Sequence, residues 1–199
     1  IKISRENIKN IVKSNQTVYG VNTGFGALCS TVISNEDSTL LQENLLKSHA
    51  VGVGESVPDE ISKLMLIIKV HSLCKGFSGI RMKVIKRICW HIENNIIPIV
   101  PSQGSVGASG DLAPLAHLFL PLIGKGKLLY KGNQLDTEKV LEKENKTSLF
   151  LKEKEGLALI NGTQFISAFA CSALNKFKNC LENADIISSL TLEGTQSSI

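Results

Sequence analysis

Aromatic residues are scarce in this 199-residue sequence, 5% in all, with one tryptophan and two tyrosines. No block of like charge appears either. Twenty-two Lys and Arg against 18 Asp and Glu leave a net charge of +4, and the two signs alternate along the chain. Without a basic stripe to neutralise phosphates or anionic lipid, neither nucleic acid nor a membrane surface is expected as a partner. The five cysteines (Cys29, Cys74, Cys89, Cys171, Cys180) form no CxxC pair and no regular framework. Such an odd, scattered set is expected to be reduced thiols, mostly packed in the core of a cytoplasmic protein. The four histidines lack a neighbouring ligand at metal spacing, so no metal site is expected. The longest apolar stretch, Leu112 to Ile123, is broken by two prolines and is too short to cross a bilayer. No signal-peptide pattern opens the chain. Ile1 in place of an initiator methionine and the abrupt close at Ile199 suggest a segment of a longer protein.

What is present is enough apolar residue to bury a core. The composition is 43% hydrophobic and 20% charged, which excludes a disordered chain and fits one domain or a large piece of one. The patterning is mainly helical. Ser34 and Asp37 resemble a capping box opening a helix to about Ala50, with Leu41, Leu45 and His49 four apart on one stripe. Pro58-Asp59-Glu60 starts a second helix, whose apolar positions Ile61, Leu64, Met65, Ile68 and Leu73 run on to Gly76. A third follows Ser78-Gly79 and carries Ile80, Val84, Ile85, Ile88 and Ile92. It ends before Pro98, where Ile97 and Ile99 suggest an extended piece. A fourth begins at Asp111 as N-cap, with Pro114 tolerated in its first turn. Lys127–Tyr130 reads as a short strand before a turn at Lys131-Gly132-Asn133, and 136–145 as a charged amphipathic helix. From Gly162 to about Leu190 the chain reads as one long helix.

The segment Gly104-Ser105-Val106-Gly107-Ala108-Ser109-Gly110-Asp111-Leu112-Ala113-Pro114-Leu115-Ala116-His117 carries the chemistry. Its glycines allow a sharp turn into a helix start. A phosphate cradle is excluded because the Lys-Ser/Thr of a P-loop is missing. A serine nucleophile on an elbow would need glycine where Asp111 stands. A third reading uses Ala108, Ser109 and Gly110 together. In a compressed loop the Gly110 nitrogen can attack the Ala108 carbonyl and close a five-membered ring. Glycine suits the attack because no side chain hinders its nitrogen. Loss of water from Ser109 then leaves a methylidene-imidazolone. Ordinary side chains offer no strong carbon electrophile, and such a group would supply one. The helix start at Asp111 places positive dipole beside it.

With its surroundings, this segment resembles the aromatic amino acid ammonia-lyases. Four blocks carry the resemblance, in the family's order. They are Val18-Tyr19-Gly20-Val21-Asn22-Thr23-Gly24-Phe25-Gly26, then Ser48-His49-Ala50-Val51-Gly52-Val53-Gly54, then the segment from Gly104 to His117. The fourth is Lys154-Glu155-Gly156-Leu157-Ala158-Leu159-Ile160-Asn161-Gly162-Thr163-Gln164. Nearly the whole chain is covered, most loosely from 131 to 152. The resemblance implies a mainly α, fumarase/aspartase-like ammonia-lyase fold with a few short strands. Residues 1–199 would form its N-terminal part, bearing the catalytic loop and the electrophile.

The implied reaction is non-oxidative elimination of ammonia. The implied cofactor is 4-methylidene-imidazol-5-one made from Ala108, Ser109 and Gly110, with no external cofactor and no metal. Tyr19 matches the tyrosine that removes the β-proton, on a loop where Gly24 and Gly26 allow closure. A free tyrosine has a pKa of about 10, so that role needs an environment favouring the phenolate. His49 matches the substrate-selecting position. Ser48-His49 resembles the histidine-specific members, where tyrosine- and phenylalanine-specific relatives tend to show His-Leu or Phe-Leu. The implied substrate is therefore L-histidine and the product trans-urocanate, since an imidazole can hydrogen-bond an imidazole. Asn161 matches an asparagine near electrophile and substrate; on the residues alone, Asn161-Gly162 is a turn signal before a helix. Gln164 leans toward the histidine branch. His117, on the apolar helix, reads as structural, and His71 departs from the asparagine relatives tend to carry. The family also implies a homotetramer whose sites draw on several subunits. Later helices supply an arginine for the substrate carboxylate, a second tyrosine and an acid, so this chain alone is expected to be inactive. A non-catalytic remnant, a tyrosine or phenylalanine ammonia-lyase, or an aminomutase of the family are the alternatives.

Overall fold

The apolar spacing of the sequence becomes a set of helices packed on one core in the computed structural model, which describes residues 1–14, 17–24, 33, 35–107 and 110–197, without the side chains of 35–39. Helix α1 (Lys2–Lys13) is followed by α2 (Asn35–His49), strand β1 (Val53–Ser56), α3 (Asp59–Cys74) and α4 (Met82–Glu93). Strands β2 (Ile97–Pro98) and β3 (Pro101–Gln103) lead to α5 (Leu112–Phe119), which tightens into a 3-10 turn over Leu120–Ile123. Then come β4 (Lys127–Tyr130), β5 (Asn133–Asp136), α6 (Thr137–Lys143), α7 (Glu155–Ile160) and the long α8 (Gln164–Gly194). The mainly α reading with a few short strands holds.

Leu46, Met65, Leu66, Ile88, Leu115, Phe119 and Leu159 form the heart of the core, each no more than 1% exposed. They come from α2, α3, α4, α5 and α7, so the short central α5 is buried by helices on several sides. That explains its near-continuous apolar sequence. The 59–74 and 82–93 helices begin and end close to their expected bounds. Asp59 and Glu60 occupy the first turn of α3, where acids complement the helix dipole. The expected capping residue Ser34 lies outside the described residues.

Two small sheets brace the helices. β1 pairs antiparallel with β3, with an irregularity between Val53 and Ser56. β2, β4 and β5 form an antiparallel sheet in that order, Leu128 facing Leu135 across the hairpin. Leu128 packs with Ile96 and Val140 in a second, smaller apolar cluster.

The structure corrects several expectations. Helix α1 was not anticipated, although Ile8 buries on the core at 5% exposure. Its Arg5 is tied to Glu153 by a 2.7 Å ion pair and by a bond to the Glu153 carbonyl at 2.9 Å. Strands β1 and β3 were also missed, because both are short and β1 is exposed throughout. The cysteines do not pack mostly in the core. Cys74, Cys171 and Cys180 are exposed free thiols and Cys89 is half-buried, because two of them ride on the uncovered part of α8; Cys29 lies outside the described residues. The run Glu155–Gly194 is longer than Leu112–Ile123 and is apolar enough to cross a membrane by length and composition. Its start is fastened to the helical body, with Gln164 and Ala168 buried and α3 packed along it.

Candidate active site

The carboxyl end of α2 and the loop leading into α5 face one another across a cavity of about 320 Å³. Ser48, His49 and Val51 line one side; Gly104, Val106, Gly110, Leu112 and Ala113 line the other. Each wall is held by specific bonds. On the near side, β1 and β3 pair, and Gly104 lies so close to Gly52 that a Cβ there would meet the Gly52 Cα at 3.0 Å. The Gly52 N–H donates to His117 Nε2 at 2.9 Å, tying the segment after α2 to α5. Burial pushes the His117 pKa down, which favours the neutral ring this acceptor role requires. His117 is thus structural.

At the far end Asp111 holds the loop. Asp111 stands at the N-cap of α5 but makes no side-chain bond to that helix. Its Oδ2 instead accepts from the N–H groups of Phe165 (3.0 Å) and Ile166 (3.2 Å), in the first turn of α8. Its Oδ1 accepts from the Ser105 hydroxyl at 2.9 Å. The expected cap therefore serves a helix more than fifty residues later. The Asp111 N–H also donates to the Gly162 carbonyl at 2.7 Å. Gly110 consequently sits hard against the turn after α7, at φ +131°. A Cβ on Gly110 would lie 2.7 Å from the Gly162 oxygen and 2.9 Å from its nitrogen. Only glycine fits there. Ala108 and Ser109 lie outside the described residues, as does Gly26 of the first block.

His49 has a defined tautomer in its neutral form. Its Nδ1 lies 2.9 Å from the Leu45 carbonyl oxygen, which can only accept, so Nδ1 carries the proton. Ser48 Oγ stands 3.1 Å from the same nitrogen and also donates to the Leu45 carbonyl at 3.2 Å. Nε2 is then left as the acceptor on the ring that lines the cavity.

Asn161 is the C-cap of α7 in extended conformation, and its exposed side chain sits one residue before Gly162. The Gly162–Asp111 bond therefore brings Asn161 close to the Gly110–Asp111 segment. Tyr19 is placed differently. It is 57% exposed on a turn whose following residues, 20–24, are buried. That turn is knitted internally: Val18 N–H donates to Asn22 Oδ1 at 2.9 Å, and Gly20 N–H to Thr23 Oγ1 at 3.2 Å. Tyr19 is not among the described residues lining the cavity. His71 is exposed near the end of α3 and is not among the described residues lining the cavity.

Sequence reasoning missed three buried polar groups behind the site. Gln42 on α2 is fully buried, and its Oε1 accepts from Gly156 and Leu157 at the start of α7 (2.8 and 3.3 Å). Glu155 is fully buried; Oε1 takes the Arg81 Nε–H and N–H at 2.8 and 2.9 Å, while Oε2 takes Arg81 Nη2 at 2.7 Å and the Lys152 N–H at 2.8 Å. Lys69 of α3 is 2% exposed, and its Nζ donates to the Asn161 carbonyl at 2.9 Å. The one sequence signal was a charged or amide residue on an otherwise apolar stripe.

All of residues 1–199 match the family described as Aromatic amino acid lyase. Histidine ammonia-lyase from Caldanaerobacter subterraneus subsp. tengcongensis is 42% identical over 190 residues, 96% of this chain and 37% of that protein. The crystal structure of histidine ammonia-lyase from Trypanosoma cruzi superposes with a TM-score of 0.92 at 39% identity, over 100% of this chain and 38% of that one. Tyrosine aminomutase from Streptomyces globisporus gives 0.89 at 33% identity, over 96% of this chain and 36% of its own. The chain thus spans little more than a third of these relatives, and 96–100% of its own length is shared with them. Matched by that family over its full length, with the second and third blocks meeting at one cavity, this chain belongs to the aromatic amino acid lyase family.

Proposed function

We propose that the protein eliminates ammonia from L-histidine to give trans-urocanate, using a methylidene-imidazolone formed from Ala108, Ser109 and Gly110. The observation that carries this reading is the cavity shared by His49 and Gly110. Position 110 suits ring closure, since its cradle against Gly162 admits only a residue whose nitrogen has no side chain beside it. When formed, the group supplies a carbon electrophile that no side chain offers.

The chain's own residues do the rest. His49, with Nδ1–H committed to the Leu45 carbonyl, presents Nε2 as acceptor to a substrate N–H. An imidazole offers such a donor, whereas a phenyl ring does not. Asn161 holds substrate or electrophile from the turn beside Gly110. Tyr19 takes the β-proton, which requires its exposed ring to turn toward the cavity on closure. α8 leaves Ile166, Leu174, Phe177, Ile186, Ile187 and Leu190 more than half exposed, which fits a homotetramer built on that helix.

The test is urocanate absorbance from the complete gene product with histidine, with phenylalanine and tyrosine as rivals, and NMR of the product to detect amine migration. Turnover lost in Ser109→Ala, a mass short by two waters in the parent, and a tetramer on sedimentation are the expected results. A preference for either rival, or a β-amino acid product, overturns the reading.

A further inference from the structure

Lys69 is an unusual residue for the middle of α3. It is 2% exposed, and among the described residues no carboxylate forms an ion pair with it. An ammonium taken out of water without a counter-ion is costly, and burial lowers the Lys69 pKa to about 7. An apolar residue would fill that place in the helix stripe at less cost, so what the amine touches is informative. Nζ donates to the Asn161 carbonyl at 2.9 Å and lies 3.4 Å from Gln164 Oε1. These two contacts bracket the turn at residues 161–164.

The next carbonyl along that turn, Gly162, accepts the Asp111 N–H at 2.7 Å, and Gly110 packs directly on the Gly162 peptide. Adjacent carbonyls of one turn are thus held by two separate segments, one by Lys69 and one by the Gly110–Asp111 loop. We propose that Lys69 is a positioning residue, fixing the 161–164 turn so that the Asn161 side chain and the Gly110–Asp111 segment keep their places in the site. The proposal rests on the ammonia-lyase reading for its effect on turnover. Its effect on the turn stands on geometry alone.

The test compares Lys69→Met and Lys69→Arg with the parent in the complete gene product. Three quantities are measured: amide exchange at Asp111, Phe165 and Ile166, the mass deficit of two waters, and kcat and KM for histidine. Lys69→Met is expected to stay folded while those amides exchange about tenfold faster. Its kcat should fall about tenfold or more with little change in KM, because displacement of a site by an ångström is enough for such losses. Lys69→Arg, which keeps a donor cation, should recover part of both effects. If Lys69→Met does not fold, Lys69→Gln carries the same comparison. Parent-like exchange in a folded variant overturns the proposal, as does a rate loss that only tracks the unfolded fraction. A parent with neither mass deficit nor turnover refutes the lyase reading instead, and the exchange measurement still decides the role of Lys69.

Discussion

His49 shows how a single side chain gains chemical direction from its helix. The Leu45 carbonyl sits one turn back, so it faces the Nδ1 of a histidine at the end of α2 and fixes the proton there. The outward nitrogen is then an acceptor, and on the proposed function selectivity follows from which substrates can donate to it. His49→Leu is expected to lower kcat/KM for histidine by roughly 10²-fold, since a lost hydrogen bond in a desolvated site is worth about 2–3 kcal/mol. The phenylalanine value should stay level or rise. Equal losses for both substrates would show that His49 shapes the site without reading the ring. Gly110 makes the complementary point, because its cradle is set by a peptide fifty-two residues away and not by its own neighbours.

Among the elements, the joint between α5 and α8 departs most from what local pattern suggests. Asp111 has the residue type and position of an N-cap, and it does cap a helix, but that helix is α8. Orphan N–H groups at a helix start need acceptors, and a 3% exposed carboxylate satisfies two of them at once. Asp111→Ala should therefore destabilise the fold by about 2–3 kcal/mol in urea titration, above the usual cost of a lost cap, because Ser105 and two amides lose their partner. A loss below about 0.5 kcal/mol would mean water replaces the carboxylate. Helices α3, α4 and α8 were legible in the sequence because their apolar residues recur at helical spacing over many turns. β1 and β3 were not, since a strand of three or four mostly exposed residues carries no usable period. The 161–164 turn was legible as a turn, but not as the seat of Gly110, which depends on contacts between distant segments.

At the scale of the whole molecule, burial sets the response to acid. His91 on α4 is 1% exposed, its Nδ1 donates to the Ile96 carbonyl at 2.9 Å, and its Nε2 has no partner among the described residues. Desolvation lowers its pKa to about 4, from about 6.5 in an unfolded chain. Between those values the unfolded state binds a proton that the folded state refuses. The stability contributed by His91 is present above about pH 6.5 and is lost as pH falls toward about 4, on the order of a few kcal/mol. Thermal unfolding midpoints across that window should fall less steeply in His91→Gln. Parallel slopes would show that other groups dominate acid unfolding.

The sequence by itself determined the helices with strong apolar period, the glycine-rich segment before Asp111, and the residue set that marks the family. Those features depend on local spacing and residue chemistry, which a linear chain displays openly. Only the tertiary structure decided which helix Asp111 caps, which His49 nitrogen is free, and where Lys69 spends its charge. Each of those depends on a partner between four and ninety-two residues away, and a buried polar group takes its meaning from whatever carbonyl, amide or carboxylate folding brings within hydrogen-bond reach.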